Sequence, residues 1–279
     1  MQKHEHEIPN GSKLYFGKSA SKKRRLERIA SELLENNGFS EIITPFFSYH
    51  QTSAISEQKL LRFSDEVNAS LALRADSTID VVRIITRRLK DETTKKWFYI
   101  QPVFSYPSIE TYQIGAEILD SDDLAKCVNI AADLLKKLEI NATMQVSNMQ
   151  IPHLLCELLG FEMSVFELGR IELIFAKNLS WLNKLATISS ITDINTLKSQ
   201  IPSELKEPLN ELSELASKVE FSGKIAFAPL YYSKMRYYDK LFFRFLCDNK
   251  VLCGGGKYCI DSHSCVGFGA FSDNIIEIL

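Results

Sequence analysis

Apolar positions along this chain follow two periods, 3.6 and 2, and the switches between them mark its elements. Leu26, Ile29, Ala30, Leu33 and Leu34 fall at the i, i+3, i+4, i+7 and i+8 positions of one helical face. Ser19 or Ser21 can cap that helix and Gly38 can stop it. Phe39 to Pro45 reads as a short strand ended by a proline, which has no N–H to give a sheet. A polar loop is expected from Gln51 to Asn68. Strands are then expected at Ser70 to Leu73, Trp97 to Phe104 and Tyr112 to Leu119, around a helix from Thr78 to Leu89.

Helical spacing returns between Ser121 and Leu138, where Leu124, Cys127, Val128, Ala131, Leu134, Leu135 and Leu138 share a broad face. Asp122 and Asp123 suit its positive N-terminus. Beyond Phe161 the pattern stays mostly helical, and Leu179 to Lys218 is rich in Leu, Ser, Lys and Glu, with breaks at Pro202 and Pro208. Strand character resumes at Lys224 to Tyr232 and at Tyr238 to Cys247. A glycine turn at Gly254 to Gly256, a strand from Cys265 to Ala270 and a helix begun by Ser272 complete the pattern. Strands joined in this order by short turns point to an α+β fold, an antiparallel sheet flanked by helices. The expected organisation is one domain over residues 1–279, with 161–222 as a mostly helical insertion.

Composition narrows the classes of function. With 279 residues, 45% of them hydrophobic and 24% charged, the chain is globular rather than disordered. A net charge of −2 supplies no basic field for nucleic acid, which argues against that partner. Met1 to Glu7 contains no apolar leader core and nowhere do 18 apolar residues run together, so no membrane association and a cytoplasmic location are expected. Free thiols are expected of the six cysteines, with Cys127, Cys156 and Cys247 in the core. Cys253, Cys259 and Cys265, near His263, are spaced too widely for the usual paired zinc ligands. No metal and no cofactor are expected.

Candidate chemistry lies between Leu73 and Glu117. In Leu73-Arg74-Ala75-Asp76-Ser77-Thr78 an apolar strand end gives way to Asp76 and Thr78 just before a helix. In Gln113-Ile114-Gly115-Ala116-Glu117, period two puts Gln113, Gly115 and Glu117 on one face, where Gly115 would clear room between two polar arms. A carboxylate and an amide so placed can accept from an ammonium or an imidazole N–H, each charge-assisted bond contributing roughly 1.5–3 kcal/mol. The competing use of Asp76 is to cap the helix, and that of Gln113 and Glu117 is a solvated strand face. Lys22 to Arg25 read as a solvated first turn, or as a partner or phosphate contact.

In this order the segments resemble the catalytic domain of class II aminoacyl-tRNA synthetases, most closely the histidyl group, over most of the chain. Gly38 to Pro45 is similar to the family's first motif, a helix and strand at the dimer interface. Leu73 to Thr78 and Phe104 are similar to the second. Gln113 to Glu117 resembles the histidine-contacting strand, and Tyr237-Tyr238 the tyrosine pair of the histidine-specific motif. Gly254 to Tyr258 and Val266 to Gly269 fall where that group has its glycine-rich turn and third-motif strand, although Lys257 and Cys259 depart from the family's Gly-Gly-Arg-Tyr-Asp.

The departures concern ATP. Ser105 follows Phe104 where the synthetases have an arginine; Ser272, Asp273 and Asn274 replace the third-motif arginine; Ser233 stands near the place of a third, unless Arg236 substitutes. Losing one preorganised donor to developing charge costs on the order of a hundred- to a thousandfold in rate. The stretch from Ser105 to Thr111 is also shorter than the synthetase loop that meets ATP, and no anticodon-binding domain is expected after the third motif. The resemblance therefore moves to the regulatory subunit of ATP phosphoribosyltransferase, a histidyl-synthetase-like group with a Leu-Arg-Ala-Asp-x-Thr segment like Leu73 to Thr78. It implies no catalytic residues here, a short-form catalytic transferase subunit as partner, self-association through the first-motif region, and histidine as effector. Asp76, Thr78, Gln113, Glu117, Tyr237 and Tyr238 would bind that effector. The alternatives are a minimal amino-acid activating enzyme, which would show ATP–pyrophosphate exchange, and a tRNA-binding relic resting on Lys22 to Arg25 and Arg87-Arg88.

Overall fold

The first apolar stripe forms α1, Gly17–Asn36, which buries Leu26, Ala30, Leu33 and Leu34. The structure, a computed structural model, describes residues 7–89, 92–233, 235 and 237–279. Arg236 and residues 1–6, which the sequence reading invoked, lie outside them. Helix α1 begins earlier than Ser19 or Ser21. Phe16 takes the extended cap position, and Ser19, inside the first turn, accepts from the Phe16 N–H at 3.0 Å. Gly38 ends the helix with φ +77°, the left-handed conformation that glycine adopts without a Cβ clash.

The strands are β1 (Ser40–Glu41), β2 (Phe47–Ser48), β3 (Arg62–Ser64), β4 (Ser70–Leu73), β5 (Lys96–Ser105), β6 (Ile109–Leu119), β7 (Thr143–Asn148), β8 (Ile225–Phe227), β9 (Tyr238–Cys247), β10 (Lys250–Ile260) and β11 (His263–Phe271). After α1 come helices α2 (Thr78–Arg88), α3 (Leu124–Lys137), α4 (Gln150–Leu159), α5 (Ser164–Glu167), α6 (Glu172–Phe175), α7 (Ser180–Ala186), α8 (Ile191–Leu197), α9 (Lys206–Lys218) and α10 (Ser272–Ile278). The large sheet runs β1-β5-β6-β11-β10-β9-β7-β8, and a small one runs β2-β4-β3. Neighbours in the large sheet are antiparallel except at its edges, where β1 joins β5 and β8 joins β7 in parallel.

Strand alternation divides the large sheet between two cores. Ile114, Ala116 and Ile118 of β6 and Val266, Phe268 and Ala270 of β11 face the main core with α1, α3 and the helices of the 164–218 stretch. Leu119, Tyr99 and Tyr258 face the other side, where α2 packs Ile79, Val81, Val82 and Ile85 against them. Each such apolar side chain stabilises by roughly 1.5–3 kcal/mol when fully buried.

Five local expectations are corrected. Gly254 to Gly256 form no turn; they lie within β10, with Gly255 paired to Phe243 on one side and Phe268 on the other. A Cβ on Gly255 would stand 2.2 Å from the Gly267 carbonyl oxygen, and one on Gly256 would stand 2.6 Å from that of Leu241. Close strand approach demands glycine there, while the reversals use Asp248, Asp261 and Ser262 at positive φ. Within the expected loop from Gln51 to Asn68 lies β3, and the strands expected at Phe39 to Pro45 and Lys224 to Tyr232 shrink to β1 and β8. Cys127 and Cys156 are buried as expected, whereas Cys247 is half-buried.

Arg74, just past β4, ties the small sheet to the large one. It is 0% exposed, and its guanidinium donates to the carbonyls of Thr44, Pro45 and Pro102 and to the Thr44 hydroxyl. On the small sheet's outer side Phe47, Tyr49 and Phe63 remain exposed, with the Phe47 and Phe63 rings in edge contact at 5.8 Å.

Candidate functional site

The start of α2, the alternating face of β6 and the start of β9 converge on a cavity of ≈ 550 Å³. Asp76, Thr78, Gln113, Tyr237 and Tyr238 line it. Glu117 lies beneath, 1% exposed, and reaches the others through hydroxyls. Its Oε1 accepts from Thr78 Oγ1 at 2.8 Å and from the Tyr99 hydroxyl at 3.4 Å, and its Oε2 accepts from the Tyr258 hydroxyl at 2.5 Å. The six candidate residues are therefore brought together, with Glu117 under the floor.

Asp76 combines its two readings. One carboxylate oxygen accepts from the Ile79 N–H at 3.2 Å, as a helix cap does, and the other accepts from the Tyr237 hydroxyl at 3.1 Å. Gln51 fixes the backbone behind it. The Gln51 side-chain oxygen accepts from the N–H groups of Ala75 at 2.8 Å and Asp76 at 2.7 Å, and its amide donates to the Asp76 carbonyl at 3.0 Å.

Two glycines set the depth of this network. The space above Gly115 is not left to a ligand, because the Tyr99 ring fills it; a Cβ there would come within 2.1 Å of that ring. Gly267 faces Glu117, whose Oε2 would be 1.7 Å from an added Cβ. The strand pairing that sets Gly267 opposite Glu117 thus leaves the carboxyl room that any side chain at 267 would take.

Burial dominates the electrostatics. It pushes the Glu117 carboxyl up to about 8, against the pull of the Tyr258, Thr78 and Tyr99 hydroxyls, and raises Asp76 to about 6. Hydroxyls and a backbone N–H, rather than cations, are the groups that hydrogen-bond the two carboxyls. A site of two under-compensated acids and several phenols is suited to an ammonium or imidazolium group, which would favour the ionised carboxylates.

The other sequence landmarks have structural roles of their own. Only Tyr106 to Ser108 separate β5 from β6. Ser233 is buried against the cavity. Asp273 turns inward, accepting from the Tyr15 hydroxyl and from the Tyr112 N–H at 3.1 Å, and Asn274 donates to the Val251 carbonyl at 2.8 Å. Lys257 pairs with Asp122 at 3.2 Å. In the basic run, Lys23 and Arg24 both pair with Glu27, and Arg87 pairs with Asp261 at 2.6 Å. Among the described residues no group of three His, Cys, Asp or Glu side chains converges as a metal ion would require, and no helix is long and apolar enough to cross a membrane.

Four contributors escaped the sequence reading. Tyr99 and Tyr258 reach Glu117 from other strands, and Gln51 reaches Asp76 from the loop before β3. Arg244 also lines the cavity. Its signal was present, since it is the single charge in the apolar run Leu241 to Leu246.

Comparisons with known proteins agree along the whole chain. The family model described as Histidyl-tRNA synthetase matches residues 16–270. The ATP phosphoribosyltransferase regulatory subunit of Wolinella succinogenes is 46% identical over 276 residues, covering 98% of this chain and 96% of that one. Its namesake from Helicobacter hepaticus is 38% identical, covering 99% and 98%. A solved ATP phosphoribosyltransferase regulatory subunit/histidyl-tRNA synthetase from Bacillus halodurans shares the fold with a TM-score of 0.85 at 20% identity, covering 100% of this chain and 84% of that one. A fold built around a synthetase-type sheet and a relationship of this extent have one reading: the chain belongs to the histidyl-tRNA synthetase family, in its branch of ATP phosphoribosyltransferase regulatory subunits.

Proposed function

We propose that this chain is the regulatory subunit of ATP phosphoribosyltransferase in histidine biosynthesis, that it performs no catalysis itself, and that it senses histidine in the cavity under Tyr237. The observation that carries the first part is the 46% identity over nearly the whole length of a protein so named. Support for the second is the residue set where synthetases place ATP-binding arginines: Ser105, Ser233, and the α10 residues Ser272 to Asn274, the last two committed to internal hydrogen bonds. The partner in this reading is a short-form catalytic transferase subunit. Self-association would use the first-motif region, beside which Phe47, Tyr49 and Phe63 are exposed.

For histidine, Asp76 would meet the α-ammonium and Thr78 the carboxylate side, with Gln113, Glu117, Tyr237 and Tyr238 around the body and ring. Docking and histidine would then favour different arrangements of the assembly, with a reciprocal coupling of roughly 1–3 kcal/mol. Phosphoribosyl-ATP formation by the short catalytic subunit, measured with and without this chain and with histidine added, tests the whole proposal. Activity should depend on the chain and fall with histidine. Independence from the chain would defeat the subunit reading, whereas no calorimetric heat with millimolar histidine would defeat the sensor alone. Because Asp76 must ionise to hold an ammonium, histidine affinity should weaken as pH falls below about 6.

A further inference from the structure

Arg244 stands in the same cavity, yet the histidine proposal leaves it without a task. It belongs to a row of residues paired across adjoining strands: Tyr99 on β5, Gly115 on β6, Gly269 on β11, Gly254 on β10, Arg244 on β9 and Gln145 on β7. Paired residues share a sheet face, so three adjacent glycines leave bare backbone between a tyrosine and an arginine. Tyr99 covers the first. At Gly269 an added Cβ would meet nothing within 4 Å, and at Gly254 its nearest contact would be an ordinary 3.6 Å. The protein's own packing therefore requires glycine at neither position, and both lie open to the cavity as a flat floor.

Arg244 is oriented but not neutralised. One terminal nitrogen donates to Gln145 Oε1 at 2.9 Å, and the guanidinium lies 4.0 Å above the Tyr231 ring. Nε is buried without an acceptor. Among the described residues no carboxylate forms an ion pair with it. A planar guanidinium fixed by an amide and an aromatic face has lost the freedom that binding would otherwise cost, and its fork suits a carboxylate or a phosphate. From Tyr238 to Arg244, β9 extends roughly 20 Å along its backbone, which places the arginine toward the opposite end of the cavity lining from the Tyr237–Asp76 contact.

We infer that the Arg244 end is a second subsite, for an oxyanion carried on a flat ring: the guanidinium takes the carboxylate or phosphate, and the ring lies on the Gly254 and Gly269 floor beside Phe242 and Phe271. This subsite does not depend on histidine binding at Asp76.

Phenyl phosphate and benzoate are suitable probes, with benzamide as the uncharged ring and inorganic phosphate as the ringless anion. Each is titrated at constant ionic strength into the full chain and followed by arginine side-chain NMR. At least one ring-bearing anion should saturate, binding at least tenfold tighter than both controls, and the tighter of the two identifies the preferred oxyanion. Arg244→Gln should weaken that probe at least tenfold. Gly269→Val, whose Cβ would meet nothing within 4 Å, should block it while leaving the thermal midpoint unchanged. Failure of both probes to saturate, equal binding of benzamide, or unchanged affinity in Arg244→Gln would overturn the inference. Should Arg244→Gln fail to fold, unchanged affinity in folded Gly269→Val overturns it as well.

Discussion

Arg74→Met should destabilise the chain by on the order of 3–5 kcal/mol, because methionine replaces only the aliphatic stem and none of the guanidinium donors. Arg74 Nε and one terminal nitrogen donate to the Pro102 carbonyl at 3.0 and 2.7 Å, while the other serves the Thr44 carbonyl at 2.8 Å, the Thr44 hydroxyl at 2.9 Å and the Pro45 carbonyl at 3.1 Å. A fully buried arginine with no carboxylate in ion-pair contact among the described residues is tolerable because polar oxygens meet its donors. Removing it strands three backbone carbonyls away from water, each at a cost of roughly 1–3 kcal/mol. Burial also lowers the Arg74 guanidinium to about 10, so it stays charged throughout the neutral range. Urea unfolding measures the effect. A loss below 1 kcal/mol would mean that Thr44, Pro45 and Pro102 find other donors and that Arg74 is not the tie between the sheets.

Glu117→Gln should change the pH dependence of stability more than any single substitution elsewhere in the site. Glu117 has an ordinary value of 4.5 and a folded value of about 8. Below 4.5 it is protonated folded or unfolded and contributes no difference. Between 4.5 and about 8 the unfolded chain has released the proton while the folded chain keeps it, so stability falls as pH rises. One proton corresponds to at most about 1.4 kcal/mol per pH unit. Asp76, raised from 3.8 to about 6, adds a slope of the same sign in the lower part of that window. Glutamine cannot ionise, so the variant should gain on the wild type steadily from pH 5 to pH 8 in urea unfolding. Parallel profiles for the two proteins would show that Glu117 is ionised when folded.

Much of this was legible in the chain, and the illegible parts share a cause. Long periodic segments such as α1, α3, β6 and β9 identify themselves because each carries its own buried face. Period two likewise put Gln113 and Glu117 on one side of β6. What one segment cannot reveal is its neighbour. Gly254 to Gly256 signal a turn until β9 and β11 are laid against them, and Gly115 signals an opening until Tyr99 crosses it. Tyr258 and Gln51 join the site over long sequence separations. β1 and β8 are too short for any period to show and are fixed by parallel partners at the sheet edges.

Under the proposed self-association, the small sheet has a consequence for every solution measurement on this protein. β4 carries the exposed Phe47 and Phe63 strands on its two sides, and the same backbone continues through Arg74 to Asp76 in the cavity wall. Where two copies meet on that aromatic face, self-assembly and cavity geometry draw on one short run of chain. Protein concentration then becomes a thermodynamic variable on a par with ligand concentration, and binding isotherms recorded at dilute and at concentrated chain should not superimpose.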